Sequence, residues 1–288
     1  MDAPRPARLK RLRLLAPLCM ALALAAPLAH AEPQCIERYP TPAALASMFD
    51  VALTASEQLD ALDGVDVVLI ARGGQDLSKY GLRHSHVAFL LREDDGQWRA
   101  VHLLNPCKTA QSQLFREGVA TFIGETSSHT ELRIGVPTPA LRDTLKAMLT
   151  KPAIQARALH EARYSVVAYP FSTEYQNSNQ WVLEVLAAAM AQNEDGTLIV
   201  NRTQVQNWLK QHHYQPSTLH IGVTKRLGAR FFVPNAAVTD HPASERISGN
   251  YSVVTVESVF DFLQRQNGLQ QELSVSHVPV AGVTAPKP

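Results

Sequence analysis

Two residues in this 288-residue chain have the type and setting that nucleophilic chemistry needs. His86 lies in a strand-like run, SHVAFLL, and Ser178 lies in YQNSNQWVLEVLAAAM, where a polar run turns into a helix. A serine is a weak nucleophile until a base takes its proton, and a helix start offers N–H groups and a positive dipole end for the developing charge. Asn177, Asn179 and Gln180 surround Ser178 and are binding candidates at that start, yet they are also good capping residues. The segment therefore reads either as a plain cap or as an activated nucleophile. His102, on the next strand-like run, is a candidate orienting residue, and Arg72, Tyr80 and Arg83 in and around the preceding loop could bind an anionic group. His84-Ser85-His86 would put two imidazoles on one face of a strand, but no carboxylate motif accompanies them, so no metal and no cofactor is assigned. There is no G-x-S-x-G elbow, phosphate-binding glycine loop, H-E-x-x-H or C-x-x-C, which removes the corresponding hydrolase, nucleotide and zinc-peptidase classes.

The elements that must position these residues follow from periodicity. DVVLIAR, 66–72, is a continuous aliphatic run ended by Gly73-Gly74, a strand buried on both faces. SHVAFLLREDDGQWRAVHLL is a hairpin around Asp94-Asp95-Gly96. A three-residue loop ending in glycine sets His86 opposite Leu104, with His102 two residues away on the same face; a slip of one residue would separate the histidines. Trp181, Val182, Val185, Leu186 and Ala189 define one face of the helix that begins at Asn177.

Thr41 and Pro42 open an earlier helix with Leu45, Met48, Phe49, Ala52, Leu53, Ser56 and Leu59 inward. Residues 110–123 read as loop and short helix, and 131–136 as a strand. A helix follows from Pro139 to Leu149, extended after Pro152 over 154–162. Residues 164–169 read as a strand leading into the polar run. Residues 203–212 form a helix, 218–223 and 229–233 candidate strands, 238–249 a loop, and 251–263 a last strand and helix. This order predicts an α+β fold with largely antiparallel strands.

Five basic residues, Arg5 to Arg13, precede an apolar run from Leu14 to Leu28 and the small-x-small site Ala29-His30-Ala31. This order marks a cleavable export signal over 1–31, cut after Ala31, and a periplasmic destination. Residues 32–277 read as one domain, with a possible elaboration from about 196, and 278–288 as a flexible tail. No later run is long enough to span a membrane. Of 27 basic and 26 acidic residues, the leader carries five and one, leaving a charge of about −3 and no basic stripe for nucleic acid. Past the leader only Cys35 and Cys107 remain, and in an oxidising compartment they read as a disulfide, the alternative being a reactive thiol at Cys107.

The words SHVAF, NPC and YQNSNQWVLE resemble a family of exported Gram-negative bacterial proteins known only as a domain of unknown function, over nearly the whole mature chain. More distantly the chain is similar to circularly permuted NlpC-type papain-like hydrolases, in which a strand histidine precedes a helix start carrying a cysteine. That resemblance implies a permuted papain-like core with His86 as base, His102 near a third polar position and Ser178 where those enzymes carry the thiol. With serine there, either His86 activates Ser178 as an acyl or amide hydrolase or transferase, or the groove binds a peptidoglycan or lipid fragment of the cell envelope without reaction.

Overall fold

The computed structural model describes residues 41–74, 77–107, 109–124, 131–223 and 235–276. The export signal, the candidate strand at 229–233, the tail from 278 and Cys35 of the expected disulfide lie outside these residues.

The chain runs α1 (Pro42–Asp60), β1 (Val67–Arg72), β2 (His86–Arg92), β3 (Trp98–Leu104), β4 (Gln113–Gly118), α2 (Val119–Gly124), β5 (Glu131–Pro137), α3 (Pro139–Leu149) and α4 (Ile154–Ala158). It continues through α5 (Ser178–Asp195), α6 (Arg202–Gln211), β6 (Ser217–His220), α7 (Ala243–Ser248), β7 (Asn250–Val253), α8 (Val256–Arg265) and β8 (Leu269–Ser276). Six strands form one antiparallel sheet in the order β4-β3-β2-β1-β5-β8, and β6 pairs with β7 in a second. The fold is α+β.

Both faces of the large sheet are covered. Residues of one parity, Val67, Leu69, Val87, Phe89, Val101 and Leu103, pack with α3, α5, α6 and α8. Those of the other, Val68, Ile70, Ala88, Leu90 and Ala100, pack with α1 and α2. The alternation is the ordinary pleat of a strand. β1 is buried along its whole length, as its unbroken aliphatic run requires. Gly135 in β5 lets α8 lie flat on the sheet, since a Cβ there would meet Phe260 at 2.7 Å.

The hairpin register is the one the turn predicts: Phe89 pairs with Val101 and Leu90 with Ala100. Five readings are corrected. Residues 113–118 are strand β4, whose half-exposed edge position leaves no apolar run to detect. Residues 164–169 form no strand; Val166 N–H donates to Asn235 O at 2.8 Å, the Ser165 hydroxyl donates to Ala237 O at 2.7 Å, and only Tyr164 bridges, to Gln176. The 238–249 loop holds α7, and β8 extends the sheet at its far edge. In α1 the inward face is Met48, Val51, Ala52, Ala55 and Leu59, while Leu45, Phe49 and Leu53 are exposed, because its apolar stripe is wider than the face that finds a partner.

Candidate functional site

The start of α5 is held by its own side chains. Asn177 Oδ1 accepts from Gln180 N–H at 2.7 Å, and Gln180 Oε1 accepts from Asn177 N–H at 3.4 Å, a reciprocal capping box. Asn177 Nδ2 also donates to Val254 O at 3.2 Å, just ahead of α8. Asn179 reaches the beginning of β2, accepting from Val87 N–H at 3.1 Å and donating to Ser85 O at 3.3 Å. Between them, Ser178 Oγ lies 3.3 Å from the buried Tyr164 hydroxyl. Burial raises the Tyr164 pKa above its ordinary value, so the phenol keeps its proton and can donate it.

The polar run before α5 serves the glutamate one turn beyond Gln180. Glu184 and Arg202 are both buried and joined at 2.8 Å from Nε to Oε2 and 3.0 Å from Nη2 to Oε1. Gln176 Nε2 donates to Glu184 at 2.6 Å, and Arg202 spends its remaining donors on the carbonyls of Ser172, Thr173 and Tyr175. Sequence reasoning missed this pair; a glutamate inside an apolar helix face was its one visible signal.

His86 and His102 do share a face, with His86 Nε2 2.8 Å from His102 Nδ1. One nitrogen of that pair donates and the other accepts. His102 Nε2 stands 3.0 Å from Glu117 Oε1, off the line of a good hydrogen bond. Arg72, opposite His86 on β1, lies over the Phe122 ring of α2 at 4.9 Å. These four side chains cross β1 to β4 in a row beneath Phe122, whose ring centroid is 5.7 Å from that of His86. Burial first, then the charge of Arg72, holds the His86 pKa well below the ordinary histidine value.

α5 packs on the side of Val87 and Phe89, with Trp181 5.9 Å from Phe89 ring to ring, whereas His86 points toward α2. Of the expected His86, His102 and Ser178 set, the two histidines meet each other at 2.8 Å, while Ser178 Oγ lies 3.3 Å from the Tyr164 hydroxyl. The expected binding set also divides. Asn177, Asn179 and Gln180 stay at the α5 start, Arg72 joins the histidine row, Tyr80 packs with the small sheet around Tyr251, and Arg83 points outward to Glu131 at 2.8 Å.

His84 lies beside the first turn of α8. It is 5% exposed and lies two residues before the first residue of β2. Glu257 Oε1, in the first turn of α8, accepts from Arg83 N–H at 3.1 Å and His84 N–H at 3.2 Å, and lies 4.0 Å from His84 Nδ1. α8 packs in the same core as Trp181. His84 Nε2 and Glu257 Oε2 are buried with no hydrogen-bond partner. Burial lowers the His84 pKa, against the opposing charges of Glu257 and Glu131. The alternation of His84-Ser85-His86 puts both imidazoles on one face only within a strand, and His84 escapes it because β2 begins at His86.

A surface pocket of about 540 Å³ sits elsewhere, at the far end of α5, lined by Met148, Lys151, Pro152, Ile154, Gln155 and Gln192 among others. It contains none of the predicted residues. Among the described residues no group of three or more His, Cys, Asp or Glu is arranged to hold a metal ion, and no helix is long and apolar enough to cross a membrane.

Comparison with known proteins gives one match. A family model described as an uncharacterized protein conserved in bacteria (DUF2145) covers residues 58–263, from the end of α1 to α8. No curated protein and no solved structure matches the chain.

Proposed function

Because the chain belongs to the DUF2145 family of proteins conserved in bacteria, we propose that it is an exported periplasmic protein that holds a cell-envelope fragment, from peptidoglycan or lipid, by a carbonyl group at the start of α5. The scaffold in this reading is a circularly permuted papain-like core, in which the helix start packs beside the first strand of a hairpin.

The observation that carries the reading is the pair of buried, unpartnered atoms His84 Nε2 and Glu257 Oε2 near that helix start. Leaving a buried polar atom without a partner costs about 1–3 kcal/mol, so a folded protein keeps such atoms where something else completes them. The α5 start supplies complementary donors. Gln180 N–H is taken by the Asn177 side chain and Trp181 N–H by the Asn177 carbonyl, while the amides of Ser178 and Asn179 come before the first intrahelical acceptor. Donors at a helix start suit a carbonyl oxygen. Export is supported by the charged, apolar and small-x-small order of residues 5–31.

Calorimetric titration of the protein lacking residues 1–31 with soluble muropeptides, and separately with a short-chain lysophospholipid, tests this. Saturable binding of one of them, weakened at least tenfold by His84→Ala and unchanged by Lys151→Ala in the distant pocket, is expected. Binding of neither, or binding lost only on changing the pocket, sinks the proposal.

A further inference from the structure

We infer that Ser178, His84 and Glu257 form a nucleophile, base and orienting carboxylate, so that the α5 start cleaves an ester or amide bond in the fragment it holds. This rests on the binding reading above and adds a reaction to it.

Three elements converge to make the arrangement. Asn179 fastens the first turn of α5 to the backbone of Ser85 and Val87, immediately after His84. Asn177 fastens the same turn to Val254, three residues before Glu257. Glu257 in turn holds the backbone of Arg83 and His84. Ser178, His84 and Glu257 are thus tied to one another through backbone contacts on the same side of the sheet.

His84 Nδ1 is directed at the Glu257 carboxylate, 4.0 Å away, and the opposite ring nitrogen, Nε2, is buried and unpartnered. An imidazole that gives Nδ1–H to a carboxylate presents a basic Nε2. The 4.0 Å separation is longer than a hydrogen bond, and such contacts commonly tighten when substrate binds. Ser178 retains its own proton for transfer, since the Tyr164 phenol can donate to Ser178 Oγ across their 3.3 Å contact. His86 lies on the α2 side of β2, its ring 5.7 Å from that of Phe122 and its Nε2 2.8 Å from His102 Nδ1.

In the reaction, Ser178 Oγ bonds to the substrate carbonyl carbon while its proton passes to His84 Nε2. The carbonyl electron pair moves onto oxygen, where the Ser178 and Asn179 amides receive it. Collapse breaks the bond to the leaving alcohol or amine, which departs with the proton from His84. Water then cleaves the acyl-serine by the same steps, releasing the acid and restoring both residues.

A fluorophosphonate probe reports the first step directly, because the serine displaces fluoride from phosphorus and gives up its proton to the base. Labelling of Ser178, located by peptide mass spectrometry, is expected at neutral pH. His84→Gln should slow it by about 100-fold or more, and His86→Gln by less than threefold. Glu257→Gln should slow it and move the midpoint of the acid limb, where the rate rises with pH, further below 6.5, because the glutamate charge now raises the His84 pKa against burial. A merely structural glutamate would leave that midpoint in place. Thermal melts establish that each variant folds; should His84→Gln fail to fold, the wild-type pH profile and Glu257→Gln decide. No labelling of the wild-type protein, with fragment binding intact, overturns the reaction and leaves the binding reading standing. Labelling lost in His86→Gln but kept in His84→Gln overturns the choice of base.

Discussion

Glu184 and Arg202 are paired in two contacts of 2.8 and 3.0 Å with both side chains buried, and the polar loop from Ser172 to Gln176 is hung on that pair. The loop and α5 are therefore joined through one buried ion pair. Removing one partner leaves the other charge buried, which costs about 3–5 kcal/mol. Glu184→Ala should lower unfolding stability by that order in urea titration. Replacing both residues by apolar ones of similar volume should cost markedly less than Glu184→Ala alone, because no charge is stranded.

Stability should fall as pH drops below the ordinary histidine value. His86 is held well below 6.5, chiefly by burial, and His84 and His160 are lowered too. For a depressed histidine the unfolded chain takes up a proton near 6.5 that the folded chain refuses, so stability is complete above 6.5 and declines beneath it, down to the folded value. The slope is at most about 1.4 kcal/mol per pH unit for each such group. Asp240, raised by burial, works in the opposite sense nearer the carboxylate range. Urea titrations at pH 7.5 and 5.5 should show the loss, and His86→Gln should reduce it. Equal stability at both values would contradict the burial argument.

The capping box at Asn177 should be measurable apart from any reaction. Asn177→Ala removes the acceptor for Gln180 N–H and the bond to Val254 O. A cap deletion costs about 0.5–2 kcal/mol, and this one belongs at the upper end because the site is buried. Asn177→Asp should recover part of the loss, since an aspartate keeps the acceptor and suits the helix dipole. Thermal denaturation of the three proteins checks the order.

Cys35 and Cys107 should be joined in the exported protein. The bridge would close a loop of about 70 residues and contribute about 2–4 kcal/mol by constraining the unfolded chain. Peptide mass spectrometry without reductant should find the cross-linked pair, and Cys35→Ser should lower the melting temperature. Two free thiols in the native exported protein would reject the bridge.

The helix start at Asn177, the hairpin register around Gly96 and the β1 run could be read from the chain, because each is fixed by neighbours within a few residues: a cap, a turn, an unbroken aliphatic stretch. β4 and β8 escaped notice because edge strands bury little on either face and so carry no apolar pattern. Which face of β2 meets α5 was beyond local reasoning for a sharper reason. From His86 to Leu91 every side chain of β2 is buried, so the strand has no polar face to mark the side where α5 packs. The sequence by itself determined that a histidine and a helix-start serine exist in suitable local settings. Only the packing of α8 on one side of the sheet, and of α2 on the other, gave His84 to Glu257 and His86 to Phe122 and His102.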